Sequence, residues 1–548
     1  MNDREPCGVC PLACGSLRRN GARRIRSLAL ASFASCLFSL PSAARVVIVG
    51  VDGASWNRID PLVAEDAMPN LAALAARGVT ANLATVEPVI SPTVWTSIAT
   101  GRSPDAHGVT GFFASQLDVR VPTAFERLAA LGLRVGLYDW LVAWPPSRFP
   151  NGFVIPGWTR RDARVEPPDV FARAGAGFYF WDVDALRAPE QFAAAAREEV
   201  DAKPGRFVRL LRAFDLDVAT VTYYCVDATS HRFWGAGYPA EFPKPPAVAA
   251  DARFSGAIRD ALVGIDRGLG EIAAALGPDD VLLVVSDHGF QADVTGAHTI
   301  WTTDTRALLA TDAPDPQADA FTANGFAYVV LRVMPGPFAE RERTLERLET
   351  LLGSATTRDG EPLFTVVGMD GTAREAGPSR GLRWWLSGWA LRAGLWWLGA
   401  RLDAPAHAWL VGVPRAGLLA RLAPDAPIRV GGRELPLRAL IAPDVFDGRH
   451  APSGVFVAAG GPIRREARRL DVSVLDVAPL LFQLAGQPEP DDLEHALRAD
   501  LLDPAWLAAH PERRIAAAAV PAAPRGDPSG GASDASVTER LRSLGYVR

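Results

Sequence analysis

Val281-Leu282-Leu283-Val284-Val285-Ser286-Asp287-His288-Gly289 is an uninterrupted apolar run that ends in a carboxylate, an imidazole and a glycine. An apolar run of that length closed by a turn residue is the pattern of a strand buried on both faces, as in a parallel sheet covered by helices. In open α/β sheets ligands bind beyond the carboxyl ends of the strands. Asp287 and His288 stand there together, offering one oxygen and one nitrogen donor to a zinc-like cation.

Three further fragments follow the same rule. Asp52 ends the apolar run Val46-Val47-Ile48-Val49-Gly50-Val51 and is followed by Gly53. Asp227 and His231 come after Val218 to Tyr224, a second strand expected to run into a loop, with a four-residue spacing that lets both side chains face one point. His450 sits in Asp447-Gly448-Arg449-His450-Ala451-Pro452, just before the expected strand Gly454 to Ala458. Three carboxylates and three imidazoles at strand ends make six ligands, enough for two cations sharing a substrate oxygen.

A nucleophile is expected in Ser91-Pro92-Thr93-Val94-Trp95-Thr96-Ser97-Ile98-Ala99-Thr100-Gly101. Ser91 reads as the cap of a helix and Pro92 as its first residue, where a missing N–H is no loss. A hydroxyl there faces the positive end of the helix, and a bound cation would lower its pKa further.

Asp52, the stretch Ser91 to Gly101 with its sequel Arg102-Ser103-Pro104-Asp105-Ala106-His107-Gly108, Asp227 with His231, Asp287-His288 and His450 together resemble the alkaline phosphatase superfamily. Within it they are most similar to the type I phosphodiesterase/nucleotide pyrophosphatase branch and its bacterial phosphohydrolase relatives. The resemblance spans Val46 to about Leu484 in the family's order. It implies two zinc ions, one on Asp227, His231 and His450, the other on Asp52, Asp287 and His288 with the Ser91 hydroxyl. It also implies attack of Ser91 on phosphorus and a covalent phospho-serine that water then hydrolyses. The mixed nitrogen and oxygen donors suit zinc and admit manganese.

The chain departs from the branch in two places. The family's nucleophile is usually a threonine, and an asparagine that holds a phosphate oxygen follows its His-Gly pair. Here the position is Ser91, and Val109-Thr110-Gly111-Phe112-Phe113 contains no asparagine, so nucleotide recognition does not follow from the resemblance. Thr93 offers a second hydroxyl; Ser91, which alone precedes the proline, is the expected one. The sulfatase branch needs a Cys or Ser followed by proline two residues on and arginine two beyond that. Pro92 and Trp95 do not fit that spacing. Arg102 is the nearest arginine and reads as a helix-end residue.

Of 548 residues, 49% are hydrophobic and 22% charged, enough apolar chain for a large core. Strands alternating with helical patterns predict an α/β fold, a doubly wound, mostly parallel central sheet flanked by helices, with an inserted cap region. The expected divisions are a leader at 1–44, a first core part at 45–290, an insertion at 291–438, a second core part at 439–503, a linker at 504–536 and a terminal helix at 537–548. A net charge of -5 leaves no broad basic face, which argues against a nucleic-acid polymer as partner. A small phosphate ester is the expected ligand, and nothing in the pattern sets an oligomeric state.

The amino terminus reads as an export signal. Arg18, Arg19, Arg23, Arg24 and Arg26 precede the apolar run Ser27 to Leu40, and Ser42-Ala43-Ala44 supplies small residues for cleavage. The expected location is periplasmic or secreted, with envelope association if the leader is retained or lipidated near Cys36. Cys7, Cys10, Cys14 and Cys36 fall in this leader, so the rest of the chain keeps only Cys225 and no internal disulfide.

The insertion is expected to fold over the mouth of the site. Its stretch from Gly381 to Gly399 carries Trp384, Trp385, Trp389, Trp396 and Trp397, with Arg383 and Arg392. Such a helix suits a membrane surface, an apolar pocket or docking on the core; Arg392 argues against a spanning helix. Val472 to Leu484 reads as a packing helix, Ala516 to Ser536 as a flexible linker and Val537 to Tyr546 as a short terminal helix. The expected function is a metal-dependent phosphohydrolase acting on phosphodiesters or nucleotide-like pyrophosphates. The alternatives are a phosphomonoesterase or a phosphotransferase or mutase on the same fold, and a non-catalytic envelope protein binding lipid or glycan.

Overall fold

A computed structural model describes residues 44–111, 114–158, 163–175, 189–243, 252–294, 298–303, 305–309, 321–324, 329–333, 338–370 and 408–526. The expected leader, the tryptophan-rich stretch 381–399 and the expected terminal helix 537–546 lie outside the described residues.

The fold is mixed α/β around an eight-stranded sheet. Its strands in chain order begin with β1 (Val46–Val51), β2 (Val79–Ala84), β3 (Val135–Trp140), β4 (Phe153–Pro156), β5 (Val218–Tyr223) and β6 (Val281–Val285). Ser453–Ala459 and Leu470–Ser473 complete it. The spatial order is Leu470–Ser473, β2, Ser453–Ala459, β6, β1, β5, β3, β4. Only Ser453–Ala459 runs antiparallel to its neighbours. β1, β3, β5 and β6 are buried along their whole length, which is why they read as near-continuous apolar runs. The helices Pro189–Phe214, Cys225–Gly237 and Ala257–Ala273 pack on one another.

Register decides where the site forms. Gly50 lies opposite Thr222 on one side and Val285 on the other, so β5, β1 and β6 end level. The residues that follow them therefore converge beyond one edge of the sheet. A Cβ at Gly50 would lie 2.7 Å from the Trp95 ring, so the glycine lets that indole pass the strand toward Asp52.

Several local expectations are corrected. The helix carrying Ser91 spans Ser91–Thr100, with extended Ile90 (φ -134°, ψ 137°) at the cap position, so Ser91 is the first helical residue and not the cap. Its hydroxyl is bonded elsewhere, as described below. Asp227 and His231 stand in the first turns of Cys225–Gly237, not in a loop; at i and i+4 they share one helix face. His450 does precede the expected strand, which spans Ser453–Ala459, and it stands in a short strand of its own, Gly448–Ala451. The expected helix Val472 to Leu484 divides. Leu470–Ser473 pairs parallel with β2, one 3₁₀ turn follows, and the helix proper is Val477–Leu484. Ser473 and Asp476 make the break, the serine Oγ accepting from Leu475 N at 3.2 Å and the carboxylate accepting from Ser473 N at 2.8 Å.

The chain from Ala516 to Gly526 is not a free linker either. Ala523 N donates to Glu126 O and Arg148 N to Pro524 O, both at 3.0 Å. The Arg525 guanidinium meets the buried Glu126 carboxylate at 2.9 Å and the carbonyls of Val119 and Val121. A composition rich in alanine and proline suggested mobility; one arginine with a buried partner outweighs it.

The insertion leaves the core through β7 (Gly289–Ala292) and β8 (His298–Thr303). It returns through Ile441–Phe446 and Gly448–Ala451, which pair antiparallel with β8 and β7. Between them lies a four-stranded antiparallel sheet in the order Phe364–Asp370, Ala408–Pro414, Val329–Val333, Phe321–Asn324. Leu345, Leu348, Leu351 and Leu352 of the helix Phe338–Ser354 join Val329, Leu331, Leu410 and Phe364 in a second hydrophobic cluster, separate from that of the main sheet. No helix among the described residues is long and apolar enough to cross a membrane.

Candidate metal centre

Each site residue arrives by a different element. Asp52 follows β1 directly, and Asp287 and His288 follow β6. Asp227 and His231 come from the helix after β5, and His450 from the return strand paired to β7, opposite Phe290. Ser91 opens its helix with its Oγ donating to Asp52 Oδ1 at 3.2 Å and lying 3.3 Å from His288 Nε2. Thr93 Oγ1 is buried and makes no hydrogen bond among the described residues.

The three imidazoles share one arrangement. His231 Nδ1 faces Gly448 O at 3.2 Å, His288 Nδ1 faces Gly289 O at 3.1 Å and His450 Nδ1 faces Val89 O at 2.7 Å. A carbonyl oxygen only accepts, so each Nδ1 carries the proton and each Nε2 presents a bare lone pair. Those lone pairs converge. His231 Nε2 and His450 Nε2 are 3.0 Å apart, and the rings of His288 and His450 stack at 3.7 Å between centroids. Two acceptors that close repel one another unless a cation lies between them.

The carboxylates complete the donor set. Asp227 Oδ1 lies 3.2 Å from His450 Nε2 and 3.5 Å from His231 Nε2. His288 Nε2 lies 3.3 Å from Asp287 Oδ2 and 3.5 Å from Asp52 Oδ1. Bonds of about 2.0–2.1 Å to a tetrahedral zinc place donors about 3.3 Å apart; the pairs above lie at 3.0 to 3.5 Å, and His288 Nε2 to Asp227 Oδ1 is longer at 3.9 Å. Two groups of donors each lie within 4.8 Å of one another: Asp52, Asp287 and His288, and Asp227, His288 and His450. The first is the expected set. In the second His288 stands where His231 was expected, with His231 itself against His450 and Asp227.

Electrostatics point the same way. Burial, then the Asp287 and Asp227 carboxylates, push the Asp52 carboxyl well above the ordinary range. Burial and then Asp227 do the same to Asp287. Burial takes His231 down to about 4, against the pull of Asp227, and takes His288 well below its usual value with help from His450. Burial and mutual repulsion thus disfavour the charge on Asp52 and Asp287 and keep the imidazoles neutral; a divalent ion, which binds anionic carboxylates and neutral imidazoles, would offset that repulsion. The His231 and His450 side chains keep 14% and 13% exposure while Asp52, Asp227, Asp287 and His288 keep 2% or less, so the centre opens to solvent past those two histidines.

Supporting residues went unread in the sequence. Trp95, one turn after Ser91, donates from Nε1 to Asp52 Oδ2 at 3.0 Å; its i+4 spacing from Ser91 was the available signal. Ser286 Oγ accepts from Ala54 N at 3.0 Å and donates to His288 O at 2.6 Å, tying the end of β6 to the turn after β1. Phe290 packs edge-on against His231 and His450.

His107 fixes the far end of the Ser91 helix. Its Nδ1 accepts from Val109 N at 3.1 Å, so the proton sits on Nε2, which donates to Ser97 Oγ at 2.9 Å. Burial lowers this imidazole to about 4, with Glu494 opposing. An unfolded histidine takes up its proton near pH 6.5. Between those values the unfolded chain binds more protons, so stability falls as pH drops from 6.5 to 4, by about 3 kcal/mol from this group alone. His107→Gln keeps the donor to Ser97 and should lose about 1 kcal/mol at pH 8. It should also lose less stability than wild type between pH 6.5 and 4. Urea midpoints at pH 8, 6.5 and 4.5 measure this, and equal acid limbs in the two proteins would contradict it.

Residues 46–306 match the family model for type I phosphodiesterase / nucleotide pyrophosphatase. No curated protein matches the chain. Among solved structures, an inactive variant of murine ectonucleotide pyrophosphatase/phosphodiesterase 5 in complex with AMP is similar at 14% identity and a TM-score of 0.38, over 84% of this chain and 100% of that one. Phosphonoacetate hydrolase from Sinorhizobium meliloti 1021 in complex with phosphonoacetate is similar at 17% identity and a TM-score of 0.39, over 81% and 96%. The human ectonucleotide pyrophosphatase/phosphodiesterase 5 gives 14%, 0.36, 84% and 100%. His450 falls beyond the family match, and the return strand brings it to the rest. The family match over residues 46–306 thus takes in Asp52, Ser91, Asp227, His231, Asp287 and His288, and it supports a phosphoric ester hydrolase of the phosphodiesterase type.

Proposed function

We propose that the chain is a two-zinc phosphodiesterase, acting on phosphodiesters or nucleotide-like pyrophosphates through a covalent intermediate on Ser91. The observation that carries this reading is the convergence of three bare imidazole Nε2 atoms and three carboxylates at tetrahedral ligand spacing around a buried hydroxyl. One ion would rest on Asp227, His231 and His450, the other on Asp52, Asp287, His288 and the Ser91 oxygen, with His288 Nε2 also within reach of the first. When bound, two divalent ions would offset the three carboxylates and would supply positive charge where the phosphoryl oxygens gather negative charge in the transition state.

The chain's own residues do the rest. Ser91 Oγ forms a bond to phosphorus as the bond to the leaving oxygen breaks, its proton passing by way of Asp52 and solvent to the leaving alcohol. Water then bonds to phosphorus, the Oγ–P bond breaks and the serine recovers its proton. Trp95 holds Asp52 in place through both halves, and the helix start favours the partial negative charge on Oγ. Substrate enters past His231 and His450. The basic and apolar leader supports export to the periplasm or beyond.

The test compares bis-p-nitrophenyl phosphate with p-nitrophenyl phosphate on protein of measured metal content. Wild type should carry about two ions and turn over the diester faster. Asp227→Asn should lose metal and activity together. A preference for the monoester would move the assignment to a phosphomonoesterase, and bound metal without turnover of either ester to transfer or binding.

A further inference from the structure

Behind the helix that carries Asp227 and His231 lies a fully buried group of charges. Glu199 and Lys203, one turn apart on the helix Pro189–Phe214, are both without solvent exposure, and Asp139 at the end of β3 is almost so. Lys203 Nζ meets Asp139 Oδ2 at 2.7 Å and also contacts Glu199 and the carbonyl of Thr222, the penultimate residue of β5. Burial alone would lower the Lys203 pKa; Asp139 and then Glu199 raise it above its ordinary value, so the amine stays an ammonium.

The Glu199 carboxylate is turned to the junction where β5 becomes the ligand-bearing helix. It accepts from Tyr224 N at 3.1 and 3.2 Å and from Cys225 N at 2.7 Å. These are amide donors that a helix start leaves without intrahelical partners, and Tyr224, in the cap position, makes no side-chain cap. Glu199 is therefore a cap supplied from another helix. The Tyr224 hydroxyl donates to the carbonyl of Asp139, closing the group on its other side. Two residues past Cys225 comes Asp227, and one turn further His231. Their positions are set by the rotation and advance of this helix from its first residue.

We propose that Glu199, held by Lys203 and Asp139, is a positioning residue for the metal centre: it clamps the start of the helix Cys225–Gly237 and so aims Asp227 and His231 at their ion. The inference rests on the two-metal reading above. Groups that orient metal ligands from behind typically change affinity 10- to 100-fold when removed, and Glu199 acts through the backbone of the very turn that carries one ligand.

The experiment is a chelator-competition titration of zinc on wild type, Glu199→Gln and Asp139→Asn, with melting of the metal-free proteins and diester turnover at limiting and at saturating zinc. Glu199→Gln should weaken zinc binding at least about 10-fold, more than its effect on metal-free melting accounts for, and saturating zinc should restore kcat to within a few-fold. Asp139→Asn, which leaves Glu199 and Lys203 together, should show a smaller shift in the same direction. A folded Glu199→Gln protein with lower melting temperature and unchanged zinc affinity would overturn the proposal. If Glu199→Gln does not fold, Asp139→Asn decides it: wild-type affinity in that variant overturns it as well. Wild type that binds no zinc would instead defeat the two-metal reading itself.

Discussion

Ser91→Ala is expected to keep its metal ions and lose diester turnover by at least about 10³-fold, the scale of loss when an enzyme's nucleophile is removed. The change deletes one oxygen at a position with no solvent exposure and leaves Asp52, Asp227, His231, Asp287, His288 and His450 in place. Asp52 keeps its other partner, the Trp95 indole. Metal content therefore serves as the internal control. Thr93→Ala in parallel should hold turnover within a few-fold, because Thr93 Oγ1 is bonded to none of the site residues. Steady-state rates and metal content on the two variants, with acid-quenched wild type searched for phosphate on the peptide holding residue 91, decide the matter. Retained turnover in Ser91→Ala with loss in Thr93→Ala would move the nucleophile two residues along the helix.

Asp287→Asn should change sign with conditions. With excess zinc the variant lacks a ligand and melts below wild type. An ion at about 1,000 times its Kd contributes about 4 kcal/mol of stability, so chelation should cost wild type several kcal/mol. In chelator the order reverses. Wild type is then left with three carboxyl groups buried together, Asp287 and Asp227 disfavouring charge on Asp52 and Asp227 disfavouring it on Asp287. The asparagine removes one of those charges and retains an oxygen for the Gly53 N–H, which now bonds Asp287 Oδ1 at 3.3 Å. The metal-free variant is expected to be more stable than metal-free wild type by about 1–3 kcal/mol. Melting curves of both proteins in zinc and in chelator test it, and the same rank order under both conditions would show that the carboxylates do not strain the metal-free fold.

What the sequence made legible followed from strand ends. Val46–Val51, Val218–Tyr223 and Val281–Val285 are buried on both faces, so their apolar runs were plain and the residues after them could be named as a cluster. The secondary structure around those residues was less legible. Asp227 and His231 look alike in a loop or a helix when one four-residue spacing serves both. Ser91 was misplaced by one position because its hydroxyl bonds Asp52, a partner 39 residues away, and not a local amide. The break between Ser473 and Val477 depends on pairing with β2, and the anchored chain near Arg525 depends on Glu126, 399 residues earlier. Tertiary partners decided each of these, and no local pattern carries them.

The pairing of Gly448–Ala451 with β7 makes the centre a closure device. His231 and His450 are 219 residues apart in the chain, and between them the insertion departs and returns. An ion held by both halves, as proposed above, would staple the neck of that excursion, so that loop-closure entropy would be met once at the stem and depend only weakly on the length of the excursion. A change in the length of the excursion would then cost the centre little, provided the two neck strands still meet.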